Sequence, residues 1–186
     1  MTEMILHRFS RSLGLLVLVA LTGCGTLTTP APASIKTSAW KFDVPMGGTI
    51  APPAGMSPQQ AVKELTSRSV LLLGTPYKLG GTSPAEGLDC SGLIAHVIQD
   101  AFRLRFPRTT EEQAAVGVEV LRRDLAPGDL VFFNTTGKSN SHVGVYLGES
   151  RFVHAPTSRG VVRIESLDQS YWARRFDQAR RVIAMN

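Results

Sequence analysis

The hydrophobic pattern changes period along this chain, helical first and strand-like later. Ala61, Leu65, Ser69 and Leu72 recur at helical spacing, behind Ser57-Pro58-Gln59-Gln60. That quartet carries an N-cap Ser, Pro at the first helical position and Gln three residues after the cap, so a helix starts sharply at Ser57. Gly74 is placed to close it. Thr75–Gly81 reads as a loop. Leu93, Ile94, Val97, Ile98 and Ala101 then form one apolar helical face, predicting a second helix from Asp89 or Cys90. Thr109 and Glu112 make another capping box, opening a short helix near 110–117. After the Pro127-Gly128 turn, alternating runs predict strands at about 129–134, 142–147, 151–155 and 161–165. A helix near 168–175 and a last strand at about 180–184 complete the pattern. Helices followed by an antiparallel sheet give an α+β fold over residues 57–186.

The segment before this domain reads differently. His7, Arg8 and Arg11 precede an apolar run, Leu13 to Leu21, of nine residues. A membrane-spanning helix needs roughly 20, so the run fits the apolar part of a secretory signal. Leu21-Thr22-Gly23-Cys24 resembles the lipobox of bacterial lipoproteins. The resemblance implies a signal peptide over 1–23, with Cys24 lipidated and becoming the first residue. Several acyl chains at one point anchor stably, since each buried CH₂ contributes about 0.8 kcal/mol. Gly25 is not the Asp that retains many Gram-negative lipoproteins in the inner membrane, which implies an outer-membrane lipoprotein facing the periplasm. Residues 24–56, rich in Thr, Pro, Ala, Ser and Gly, read as the lipidated Cys and a flexible linker. Within it Trp40, Phe42 and Val44 alternate and are candidates to dock on the domain.

Composition narrows the classes. With 43% hydrophobic and 19% charged residues, the 186-residue chain has material for one core plus an appendage. Its net charge of +5 suits an anionic surface or polymer. No aromatic-plus-basic repeat points to a nucleic-acid module, so no nucleic-acid partner is expected. Loss of Glu3, Arg8 and Arg11 with the signal lowers the charge by one, to +4. The two cysteines, Cys24 and Cys90, cannot build a disulfide framework or a structural zinc site. With Cys24 lipidated, Cys90 is an unpaired thiol in an oxidising compartment, a hazard unless it does something.

Cys90 follows an N-cap Asp89 and so occupies the first turn of the second helix. The helix dipole and free backbone N–H groups there favour thiolate and an oxyanion. Ser91 and Gly92 keep the turn small enough for close approach of a substrate. A buried structural Cys is the bland alternative. His142 opens a strand whose Val143, Val145 and Leu147 share one face, leaving His142, Gly144 and Tyr146 on the other, toward a cleft or solvent. His154 lies across the Gly148-Glu149-Ser150 turn. With three residues in that turn, and a bulge, His154 faces Gly144 and lies diagonal to His142, about 7–8 Å away between backbones. A two-residue turn would place the rings on opposite faces. The roles that follow are His142 as general base and acid for the Cys90 thiol, and His154 as its orienter. His96 has no assigned role. A zinc site at Cys90, His142 and His154 lacks a short-spaced ligand pair, so neither metal nor cofactor is expected.

These residues carry a family resemblance. Tyr77-Lys78-Leu79-Gly80-Gly81, Leu88-Asp89-Cys90-Ser91-Gly92-Leu93, Pro107-Arg108-Thr109-Thr110, Pro127-Gly128-Asp129-Leu130-Val131-Phe132-Phe133, His142-Val143-Gly144-Val145-Tyr146 and Phe152-Val153-His154-Ala155 resemble the NlpC family of cell-wall cysteine peptidases. Tyr171-Trp172-Ala173-Arg174-Arg175-Phe176 and Ala179-Arg180-Arg181-Val182 resemble its outer-membrane murein endopeptidase branch. The resemblance implies a compact papain-like domain, with N-terminal helices packed on an antiparallel sheet. It implies hydrolysis of peptidoglycan stem peptides by Cys90, His142 and His154. Tyr77 corresponds to the family's Tyr near the oxyanion, and Asp89 and Ser91 to residues lining the substrate groove. Arg108 meets either a substrate carboxylate or solvent. The implied partners are peptidoglycan and, through the lipid anchor, the outer membrane, with the protein a monomer.

The branch implies cleavage of the cross-link between D-Ala and meso-diaminopimelate. Many family members instead cut between D-glutamate and diaminopimelate within one stem, and the motif does not choose between them. A catalytically silent wall-binding lipoprotein, and an acyltransferase or amidase on the same scaffold, are the other readings.

Overall fold

The computed structural model describes residues 43–157 and 160–185. The expected signal, the lipidated Cys24, and Trp40 and Phe42 lie outside the described residues. Three helices lead. α1 spans Pro58–Leu71, capped reciprocally by Ser57 and Gln60 as the pattern predicts, with Ala61, Leu65 and Ser69 buried. α2 spans Cys90–Phe102, and α3 only Thr110–Gln113, shorter than expected. A two-stranded ribbon, β1 (Thr82–Ser83) and β2 (Gly87–Leu88), sits between α1 and α2.

The main sheet comprises β3 (Val118–Val120), β4 (Leu130–Phe133), β5 (His142–Gly148), β6 (Arg151–His154), β7 (Arg163–Ser166) and β8 (Phe176–Arg181). All its named pairings are antiparallel, and its order is β3-β8-β4-β5-β6-β7. The short α4, Ser170–Ala173, precedes β8. Helices on an antiparallel sheet make the fold α+β, as the element order predicts.

Both faces of the sheet are covered. Leu130, Phe132, Val143, Val145 and Val153 pack with Leu65, Leu93, Ile94, Val97 and Ile98 from α1 and α2. Val131, Phe133, Tyr146, Phe152 and Ala179 form a second cluster with Leu167 and Trp172. This narrows the expectation that the His142 face looks toward a cleft or solvent: most of the face is covered, and His142 meets an open cavity only at its edge. His142 is 1% exposed and His154 fully buried. Four consecutive buried residues in β4 show why alternation alone does not reveal the second covered face.

Two strands of the main sheet escape the hydrophobic pattern. β3 is a three-residue edge strand. β8 reads Phe-Asp-Gln-Ala-Arg-Arg, with only Ala179 buried, and lies N-terminal to the expected 180–184. Its Arg181 forks the buried Asp129 at 2.9 and 2.8 Å. Ion pairing there takes the place of an apolar stripe.

The expected linker 24–56 also changes at its C-terminal end. Val44 and Ile50 belong to the main core. Asp43 pairs with Arg105, Gly47 donates to the Ala115 carbonyl and Ile50 to that of Val182. Ile50 and Ile183 form a parallel bridge. Proline and glycine signals in this stretch exclude regular elements but do not prevent docking by two apolar anchors.

Candidate active site

The hairpin between β5 and β6 decides whether the two histidines meet. Its turn has two residues, not three. Gly148 pairs with Arg151, and the intervening Glu149 and Ser150 both have positive φ, 52° and 56°, as in a type I′ turn. Parity is restored by a register shift between Tyr146 and Gly148, which leaves Leu147 as the extra residue. With Val145 opposite Val153, Gly144 comes opposite His154, and the imidazoles lie on one face. His142 Nε2 and His154 Nδ1 are 2.8 Å apart. Gly144 permits this approach. A Cβ there would stand 2.7 Å from Phe152 Cδ2, 2.8 Å from the Val153 carbonyl and 3.2 Å from His154 Cβ.

Trp172 packs against both rings, stacked on His142 at 5.5 Å and edge-on to His154 at 5.0 Å. Burial holds both imidazoles well below their ordinary pKa and keeps them neutral. Each interior position leaves one ring nitrogen, His142 Nδ1 and His154 Nε2, without a hydrogen bond. Glu165 Oε2 lies 3.4 Å from His154 Nε2.

Cys90 stands at the first position of α2, with Asp89 as N-cap. The backbone N–H groups of Val143, Ser91 and Cys90 itself lie close enough to its thiol to favour the thiolate. The first of these sets the thiol beside the start of β5, one residue from His142. The electrostatics depart from the expectation of a helix-stabilised thiolate. Burial, together with the negative charge of Asp89, pushes the Cys90 thiol up to about 11, against the three N–H groups that lower it. Burial thus favours the neutral thiol and the neutral imidazole over the ion pair.

Asp89 accepts five hydrogen bonds: from the Gly92 and Gly80 backbone, from Ser91, and from Arg108 through both oxygens. Arg108 also donates to Ser91 Oγ and the Gly81 carbonyl. It thus locks the loop before the nucleophile while about a third of its side chain, 36%, stays exposed. Asp89 and Ser91 are both buried, at 7% and 6% exposure, and frame Cys90 from inside the fold. Gly92 has a different reason from the expected close approach of substrate. A Cβ on it would lie 2.0 Å from the Gly81 carbonyl, so it admits the protein's own backbone. Tyr77 is half-buried and lies near Cys90. Desolvation chiefly, then Cys90 and Asp89, raise its hydroxyl pKa, so it remains a donor.

Sequence reasoning missed Gln113, Glu165 and the packing role of Trp172. Fully buried Gln113 donates to the Ser91 and Pro107 carbonyls at 2.9 and 2.7 Å, joining the first turn of α2 to α3. Its place at the end of a capped helix gave no signal of that reach. Glu165 accepts from Trp172 Nε1 and from Arg163 Nε. Its position in a short strand is equally uninformative.

A helix-start thiol beside a buried histidine pair, on this α+β frame, is the arrangement of a cysteine peptidase, a hydrolase. Residues 74–181 match the NlpC/P60 family, and the protein belongs to it. It is 47% identical over 110 residues to the probable endopeptidase NlpC of Escherichia coli K12, covering 59% of this sequence and 70% of that one. It is 45% identical over 111 residues to the murein DD-endopeptidase MepS/murein LD-carboxypeptidase of the same strain, covering 60% of this sequence and 57% of that one. The match thus spans just over half the length of the latter. Among solved structures, an NlpC/P60 family protein from Bacillus cereus superposes with a TM-score of 0.61 at 32% identity, over 66% of this sequence and 40% of that one.

Proposed function

We propose that this protein is a lipid-anchored peptidoglycan endopeptidase that hydrolyses the D-Ala to meso-diaminopimelate cross-link, with Cys90 as nucleophile, His142 as base and His154 as its orienter. The observation that carries the reading is the buried His142–His154 pair, set one residue from Val143, whose backbone N–H lies near the Cys90 thiol. The name of the 45% identical MepS supports the choice of bond. The excess of basic residues suits an anionic polymer.

His142 Nδ1 takes the thiol proton as sulfur bonds to the amide carbonyl carbon. Backbone N–H groups at the start of α2, and the Tyr77 hydroxyl, donate to the oxyanion. The C–N bond then breaks, and the amine leaves with the proton held by His142. Water attacks the thioester, gives a proton to His142 and releases the acid, and the proton returns to sulfur. Because burial favours the neutral thiol and imidazole at rest, the proton has to reach His142 before or as the sulfur–carbon bond forms.

Cys24 supplies the anchor, and the residues that follow it supply the reach from the outer membrane into the periplasm, with the enzyme acting as a monomer. Incorporation of radiolabelled palmitate that Cys24→Ser abolishes is the expected result for the anchor.

The function is tested by digesting cross-linked peptidoglycan and identifying the products by mass spectrometry, with Cys90→Ala alongside. Loss of dimeric stem peptides, with intact tetrapeptides appearing only in the Cys90 sample, is expected. Stems cut after D-glutamate would move the proposal to the other bond. Hydrolysis that survives in Cys90→Ala would remove the nucleophile from the reading.

A further inference from the structure

The series of contacts does not end at His154. Glu165, on β7, reaches His154 Nε2 at 3.4 Å from the neighbouring strand β6. Its carboxylate is itself held from two sides. Arg163 Nε donates to Oε1 at 2.6 Å, and Trp172 Nε1, from α4, donates to Oε2. His142, Arg163, Glu165, Tyr171 and Trp172 share the wall of one open cavity of about 280 Å³, so this cluster borders the proposed active site. The charged and titratable groups facing the carboxylate are Arg163 from its own strand and His154 from β6, with His142 and Tyr171 in the same cavity wall.

A neutral imidazole carries one proton, on either nitrogen. The 2.8 Å contact between the rings has one donor and one acceptor. If His154 held its proton on Nδ1, its bare Nε2 lone pair would face the Glu165 carboxylate, and His142 would have its proton on Nδ1. Placing the His154 proton on Nε2 removes that repulsion. His154 Nδ1 then accepts, His142 Nε2 donates, and His142 Nδ1 is left bare. We infer that Glu165 is a positioning residue that sets the tautomers of both histidines in series, so that His142 Nδ1 is free to take the Cys90 proton. This rests on the proposed function, in which His142 is the base. A carboxylate behind a histidine fixes tautomer and orientation in other triads. Here it acts one ring further back.

The test combines nitrogen NMR of the full-length protein labelled at histidine with kinetics on peptidoglycan. In the wild type, protons are expected on Nε2 of both His142 and His154, with both Nδ1 atoms bare. In Glu165→Ala the single tautomer gives way to a mixture. There kcat falls about 10- to 100-fold, the scale known for losing a partner that orients a metal-binding histidine, while KM stays within about twofold. Glu165→Gln keeps an acceptor oxygen and restores the wild-type tautomers and most of kcat. A wild-type spectrum with the proton on His142 Nδ1 overturns the inference, and needs no variant to fold. So does Glu165→Ala with unchanged tautomers or unchanged kcat. If wild type and Cys90→Ala are equally inert on peptidoglycan, the function fails while the tautomers still decide the role of Glu165.

Discussion

Gly144 and His154 face each other across β5 and β6, and a side chain at Gly144 would crowd Phe152, the Val153 carbonyl and the Cβ of His154, from which the ring reaches His142. The close packing of the two strands beside the imidazole pair thus leaves no room for a methyl group.

Gly144→Ala is therefore expected to destabilise the domain by about 1–3 kcal/mol, the usual cost of forcing atoms into a packed site. Its new Cβ meets two atoms closer than 3.0 Å, one of them the Val153 backbone oxygen, which cannot swing away. Chemical denaturation measures the loss, and the 2.8 Å ring contact lengthens in a crystal structure of the variant.

Arg108→Ala leaves the buried Asp89 carboxylate without its bidentate partner. A lost hydrogen-bonded charge partner costs about 1–3 kcal/mol. Since Asp89 already pushes the Cys90 thiol up, loss of the neighbouring positive charge pushes it further. Alkylation of Cys90 at a fixed, mildly alkaline pH should slow relative to wild type. An unchanged rate would show that the ion pair is only structural.

Ile50→Ala removes a side chain that is 1% exposed and bridges to Ile183. A cost of about 2–4 kcal/mol is expected for such a truncation. A truncated protein starting at Ser57 loses Val44 as well and should melt at a lower temperature than one starting at Ser38, as calorimetry can check.

The buried histidines make a prediction about acid. Both have native pKa values held below the ordinary 6.5 by burial, so the unfolded state binds more protons once the pH falls below 6.5. Stability is therefore full above that value and declines as the pH drops toward the lowered native values. The slope has a ceiling of about 1.4 kcal/mol per pH unit for each histidine. Denaturation midpoints between about pH 6.5 and 5 should fall in the wild type and fall less in His154→Gln. A flat wild-type profile across that window would mean the rings are protonated in the native state.

Glu149 and Ser150 adopt positive φ without being Gly or Asn. Replacing them by Asn-Gly, the pair favoured in type I′ turns, should stabilise the hairpin by about 0.5–2 kcal/mol and leave activity unchanged. Denaturant midpoints and peptidoglycan turnover, measured side by side, check both halves.

By itself the sequence determined the elements whose instructions are local. Ser57 with Gln60, Asp89 before Cys90, and Thr109 with Glu112 start their helices where the capping pattern predicts, because a cap is decided within about four residues. The apolar periods likewise placed α1, α2 and most strands. The same-face placement of His142 and His154 was legible, although by a different count: a two-residue turn and a bulge instead of a three-residue turn. What only the tertiary structure decided is the environment of these groups. Whether Cys90 is thiol or thiolate depends on how much of the fold covers it and on the Asp89 charge, not on the helix start alone. Arg108 lies 19 residues from Asp89 and Val44 meets a core assembled from the whole domain, while Glu165 reaches His154 only because β7 pairs with β6. Burial and Coulomb interactions act through space between residues far apart in the sequence, so no local pattern encodes them.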